Sequence, residues 1–238
     1  MRMHRSLGVV AFLAAAPAHA DVTAHFVAGG GSARMTIAVN DRGDSRITQG
    51  DEVSLLTVGG ADYVLGTDRF GTFVARKEDF VAVQAEAARA ARGPDQPVPQ
   101  ADGDSAQWTV RPVQGGSETV GGRTGIVWTL RDSQGRPDLL GSIYVVSTDA
   151  DLAPVGRVSA RWMAEAMAAA EHRGDMDLDG HDAGVRAIYA LGTVIRQGGD
   201  FALESVDTNP IPASEFALPS APLSRAQLAA RLHGPAPH

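Results

Sequence analysis

Between Val22 and Lys77 the chain alternates short apolar runs with turn residues, which is how an antiparallel sheet reads. In SARMTIAVN, Met35, Ile37 and Val39 fall on one face, because successive side chains of a strand point to opposite sides. EVSLLTV and ADYVLGT are separated by Gly59 and Gly60. Both positions of that two-residue turn can take positive φ, so a tight hairpin is expected. Gly198 and Gly199 make a similar break between GTVIRQ and DFALESV.

Other segments carry helical spacing. In EDFVAVQAEAARAARGP, Phe80, Val83, Ala87 and Ala91 recur at three- and four-residue steps, and Gly93 with Pro94 supplies a stop. In VSARWMAEAMAAAEH, Trp162, Met163, Ala166, Met167 and Ala170 form a broad apolar stripe, with Arg161 and Glu165 paired on the other side. Near the end, Ser224 and Gln227 make a capping box, and Leu223 with Leu228 fits the hydrophobic staple around it. VRAIYALGTVI, by contrast, is rich in β-branched residues and reads as a strand. The Pro- and Gly-rich stretch over residues 93–105 is a loop insertion, and the strand-like runs on both sides of it fit one interrupted sheet. A single domain is therefore expected over residues 21–220, followed by a short helix and tail over 221–238.

The first 20 residues read as a cleavable signal peptide and are set aside: Arg2 and Arg5 precede the apolar run from Leu7 to Ala16, and Ala-His-Ala follows at residues 18–20. Cleavage there makes Asp21 the new N-terminus. No later window approaches about 18 consecutive apolar residues, so no membrane span is expected. The absence of cysteine removes disulfides, thiol catalysis and thiolate metal sites. Export without cysteine, in an arginine-rich chain whose only lysine is Lys77, points to a bacterial periplasm. Without Arg2 and Arg5 there remain 19 cations against 28 acids, a net charge of about −9 with histidine neutral. A chain this acidic is a poor partner for nucleic acid or an anionic membrane surface, either of which demands a cationic face.

The densest chemistry lies in EHRGDMDLDGHDAGVR, residues 171–186. Asp175, Asp177 and Asp179 stand at positions one, three and five of a calcium loop, with Gly180 at the sharp turn of position six and His181 at position seven. Position twelve, where a bidentate glutamate closes the shell, is Arg186, and position eight, normally aliphatic, is Asp182. The stretch reads either as a half-matched calcium site or as a solvated acidic loop whose aspartates and glycines serve turn geometry. A zinc reading through His172 and His181 lacks further ligands at diagnostic spacing. Arg-Gly-Asp occurs at residues 42–44 and again at 173–175, both times where turns are expected, and is read as turn chemistry ahead of adhesion.

No G-x-S-x-G elbow, H-E-x-x-H pair or phosphate loop is present, so no catalytic residue is assigned and a non-enzyme is expected. His25, in VTAHFVA, is expected to be a sheet residue with an ordinary hydrogen-bond partner. Trp108, Trp128, Trp162, Phe73, Phe80, Tyr144 and Tyr189 either build the core or line a ligand concavity, and their size favours the core.

Two segments resemble a known family. GSETVGGRTGIVWTL, through Glu118, Val120, Gly122 and Gly125, looks like the strand-turn-strand signature of uncharacterised exported bacterial domains. Those domains are built on the half-open barrel of the periplasmic lipoprotein-carrier (LolA-like) proteins. SVDTNPIPASEFALP, through Ile211, Pro212, Phe216 and Pro219, looks like their closing strand and tail, and Gly184 with Val185 stands where the family opens its penultimate strand. The resemblance implies an α+β fold, a curved antiparallel sheet (half-open barrel) wrapped around a few α-helices, with an apolar concavity that accepts acyl chains in the carrier proteins. The expectation is a non-catalytic periplasmic protein without a cofactor, binding a lipid or other apolar ligand in the concave face of the sheet. The alternatives are a calcium-responsive envelope module built on Asp175, Asp177 and Asp179, and a scaffold or sensor that binds another envelope protein.

Overall fold

The structure, a computed structural model, describes residues 21–50, 53–92, 109–138, 141–173 and 179–234. The strands are β1 (Val22–Ala28), β2 (Ala33–Val39), β3 (Ser45–Gln49), β4 (Val53–Val58), β5 (Ala61–Asp68), β6 (Gly71–Arg76), β7 (Arg111–Val120), β8 (Arg123–Arg131), β9 (Ile143–Ser147), β10 (Thr193–Gln197) and β11 (Phe201–Asp207). The helices are α1 (Lys77–Arg92), α2 (Ala153–Arg173), α3 (Asp179–Ala190) and α4 (Arg225–His233). All the strands belong to one antiparallel sheet in the order β6-β5-β4-β3-β2-β1-β11-β10-β9-β8-β7. The chain thus winds from the centre to one edge, resumes at the other edge, and returns to the centre, where β11 pairs with β1. The strands before and after residues 93–105 lie in the same sheet.

Local sequence chemistry accounts for much of this. Met35, Ile37 and Val39 are buried while Thr36 and Ala38 between them are half-exposed, as alternation requires. Gly59 and Gly60, with φ of 57° and 77°, turn β4 directly into β5, and Gly121 with Gly122, at 56° and 75°, do the same between β7 and β8. The break at Gly198 is longer than expected: Gln197 pairs with Phe201, so the turn takes three residues, of which Gly198 has positive φ.

The sheet is open and curved. β7 lies four strands from β11, about 19 Å along a flat sheet. Yet the tip of the β7–β8 hairpin presses on β11, where a Cβ added to Gly121 would stand 2.7 Å from the Leu203 carbonyl oxygen. Arg196 on β10 likewise donates to Glu118 on β7 at 2.6 Å. Register shifts at His25/Phe26, Gln114/Ser117 and Val194/Arg196 supply bulges, which bend a strand and increase its twist.

α2 packs on β1, β2 and β10. Its Val155, with Leu152 in the turn before it, joins Phe26, Ile37, Ile195 and Leu203 in one apolar cluster, and Val158 and Trp162 pack against that cluster. Each such side chain, fully buried, stabilises the fold by about 1.5–3 kcal/mol relative to exposure. Arg161 and Glu165 do not pair with each other as expected. Arg161 donates to Thr57 Oγ1 at 2.5 Å and Asp62 Oδ1 at 3.1 Å, while Glu165 accepts from Lys77, so both residues fasten α2 to the sheet.

The stretch VRAIYALGTVI is helical as far as Ala190, a correction to its reading as a strand, and β10 begins only at Thr193. Gly184, Val185, Ile188 and Tyr189 recur at helical spacing and are all buried. Packing of that stripe against Leu130, Tyr144, Val146 and Val194 overrides the strand preference of its β-branched members. Gly184 permits close approach, since a Cβ there would stand 2.7 Å from Val110 Cγ2. The position matched to the family's penultimate strand is therefore inside α3.

At the other edge, α1 and α4 pack together, and Phe73, Ala75, Val83 and Leu228 form their buried contact. α4 starts with the expected capping box between Ser224 and Gln227, and Leu223 packs beside Leu228. Between β11 and α4 the tail lays Ile211, Phe216 and Leu218 against Leu56, Tyr63, Leu65 and Val74. Among the described residues no helix is long and apolar enough to cross a membrane.

Candidate functional site

The apolar face of the sheet, where a carrier-like ligand is expected, is covered by α2. Ile47, Leu55, Val158 and Trp162 close around a space of about 20 Å³, which suits a single water. Its rim is fastened by Arg161 to Asp62 and by Lys77 to Glu165.

An open cleft of about 450 Å³ lies elsewhere, where Ala153, Gly156, Arg157 and Ala160 of α2 face residues 147–149 and 189–193. Its size falls in the range of small-molecule sites, about 300–1,000 Å³. Gly156 shapes the base of the cleft, because a Cβ there would stand 2.4 Å from Thr193 Oγ1. Most polar groups of the wall are already committed. Thr193 Oγ1 donates to the Leu152 carbonyl at 2.8 Å, Ser147 Oγ accepts from the Asp149 amide at 3.3 Å, and Tyr189 donates to Gln197 Oε1 at 3.1 Å. Asp149 faces Arg123 at 3.4 Å. Burial pushes the Tyr189 hydroxyl up, and it pushes that of neighbouring Tyr144 up to about 12. Neither phenol ionises near neutral pH. What faces outward is Ala153, Ala190 and Leu191, with Thr148 and Arg157 beside them.

Asp175 and Asp177 lie outside the described residues, and Asp179 opens α3 with its side chain outside them too. His172 is in α2, its side chain likewise outside. His181 places Nε2 3.1 Å from Asp138 Oδ2, and the other oxygen of Asp138 accepts from the Ser142 amide at 3.1 Å. That pair joins α3 to the β8–β9 connection. Among the described residues no group of three or more His, Cys, Asp or Glu side chains is placed to hold a metal. His25 pairs with Thr36 Oγ1 at 3.2 Å on the adjacent strand, as an ordinary sheet histidine does.

In the first Arg-Gly-Asp triplet the Asp44 carboxylate accepts from Asn40 Nδ2 and from the Gly59 amide, both at 3.0 Å. The Asn40 bond, more than that from Gly59, holds this carboxyl below the usual range. The aspartate is thus a staple between two hairpins, not a free recognition tip. The second triplet falls largely outside the described residues. Of the aromatic residues, Trp128, Trp162, Phe73, Phe80 and Tyr144 belong to the packed clusters. Tyr189 belongs to one and also lines the open cleft; Trp108 lies outside the described residues.

Sequence reasoning missed the cleft and Arg157, since a site assembled from three separated segments leaves no motif. It also missed the role of Asp21, whose carboxylate accepts from the Asp41 amide at 3.0 Å and the Ile211 amide at 2.5 Å.

No family model matches the chain, and no curated protein matches it. Among solved structures the chain is similar to the one titled "Crystal structure of MucB", at 15% identity with a TM-score of 0.35. The match covers 86% of this chain and 58% of that one. The α+β class rests on this chain's own strand order and helices.

Proposed function

We propose that the protein is a non-catalytic, exported binding module that takes a small apolar ligand in the cleft between α2 and the end of α3. The observation that carries this reading is the contrast between two places. The space under α2 holds about 20 Å³ and is fastened by ion pairs, whereas the cleft offers about 450 Å³ with alanine, leucine and glycine on its walls. Binding needs no covalent step. Removing apolar surface from water supplies about 25 cal/mol per Å², and the hydroxyls of Tyr189 and Thr193 on the wall are already bonded within the protein. The leader-like residues 1–20 and the absence of cysteine support export to a periplasm. Native mass spectrometry against a panel of acyl compounds tests the proposal. One-to-one adducts that disappear in Ala160→Trp support it; adducts unaffected by that variant, or none at all, overturn it.

A calcium-responsive acidic loop is the second reading, and one observation favours it: helices α2 and α3 stand on both sides of residues 174–178, as a calcium loop of this type requires. α3 nevertheless begins at Asp179, position five, which commits the carbonyl of His181 at position seven to the helix. Calorimetry decides. Heat with millimolar calcium that vanishes in the Asp175→Ala, Asp177→Ala double variant supports a site, and no heat in the wild type removes it.

A further inference from the structure

We infer that Arg157 makes the cleft selective for an amphiphile with an acidic end, so that a carboxylate on an apolar chain binds in preference to its uncharged counterpart. The inference rests on the reading of the cleft as a ligand site and assigns the residue that would set its preference.

Arg157 lies on the cleft wall, exposed, and among the described residues it makes no ion pair or hydrogen bond. Its neighbour one turn along the same helix is different. Arg161 is held by Thr57 and Asp62, and across the fold Arg123, Arg196 and Arg231 are each held by a carboxylate. Among the described residues Arg69, Arg89, Arg111 and Arg131 also lack a carboxylate partner, but of these arginines Arg157 is the one that lines the apolar cleft. Among the described residues the one acid on the cleft wall, Asp149, is engaged by Arg123 at 3.4 Å and leaves Arg157 available.

The remainder of the wall fixes what the ligand must be. Ala153, Ala160, Ala190 and Leu191 present hydrocarbon, and Leu191 is 40% exposed. The hydroxyls of Tyr189 and Thr193 are spent on Gln197 and on the Leu152 carbonyl. A sugar or nucleotide would find few partners here. An apolar chain fits the walls, and a planar, always-charged guanidinium pairs well with a carboxylate at the end of such a chain.

Calorimetric titration with decanoate and with decanol, both below their aggregation limits, tests the proposal on wild type, Arg157→Gln and Leu191→Glu. Leu191 is exposed, so its substitution should leave the fold intact, which circular dichroism checks. Expected is tighter binding of decanoate than of decanol, a roughly tenfold loss for decanoate alone in Arg157→Gln, and loss of decanoate binding in Leu191→Glu. Equal binding of the two compounds, unchanged by Arg157→Gln, overturns the selectivity while leaving the cleft as a ligand site. Failure of both compounds to bind the folded wild type overturns the ligand site itself. Decanoate binding that survives Leu191→Glu places the ligand elsewhere and overturns both.

Discussion

Asp44 illustrates how a residue's job is fixed by what lies far from it in sequence. Its carboxylate bonds Asn40 within its own turn and the Gly59 amide at the tip of the next hairpin. Removing it takes the acceptor from the buried Asn40 amide and from the exposed Gly59 amide, so Asp44→Ala should cost about 1–3 kcal/mol in urea denaturation. Arg42→Ala, at a side chain 66% exposed and 3.5 Å from Asp44, should stay within about 0.5 kcal/mol. Comparable losses in the two variants would contradict the staple. The turn itself is legible from glycine and aspartate at residues 43 and 44. That Asp44 also holds the β4–β5 turn is not, because sequence spacing does not encode which two turns meet. The same limit hid Asp138 from view as the partner of His181, 43 residues away.

Among the elements, α2 was legible from its apolar stripe and α4 from its capping box, because both signals are local. α3 was not, because its valine and isoleucine favour strands in isolation and only their stacking on β8 and β9 selects the helix. Close contacts between elements concentrate at glycines. Gly156→Ala should raise intrinsic helix propensity by about 1 kcal/mol, yet the new methyl would stand 2.4 Å from Thr193 Oγ1. Net destabilisation of about 1–3 kcal/mol is expected from this overpacking, and a more stable variant in thermal melts would show that α2 can shift. The docking of α4 carries its own pH signature. Arg231 donates to both oxygens of Asp68, at 2.9 and 2.8 Å, and these bonds above all hold the Asp68 carboxyl down from 3.8 to about 2. A depressed carboxyl contributes stability above its unfolded value and loses it as pH falls through the folded one. The melting-temperature gap between wild type and Asp68→Asn should thus be constant above about pH 4 and shrink towards pH 2. A gap independent of pH over that window would contradict the pairing.

At the scale of the molecule, antiparallel strands and an α+β class follow from alternation, turn glycines and helical stripes. The strand order does not. The β1–β11 closure joins residues near the two ends of the chain, and nothing in either strand names the other. The curvature comes from bulges and from the hairpin tip packed on Leu203, contacts visible only after folding. This is why an apolar concavity could be expected from a resemblance, while the docking of α2 over it and the cleft beyond are set by contacts between distant segments. The central claim is that a small apolar ligand binds in that cleft and not under α2. Backbone amide shifts of isotope-labelled protein, followed during titration with decanoate, test it most directly. The largest shifts are expected at Gly156, Arg157, Ala160, Leu191 and Gly192. Shifts centred on Ile47, Leu55, Val158 and Trp162, or no shifts at saturating decanoate, would contradict the claim.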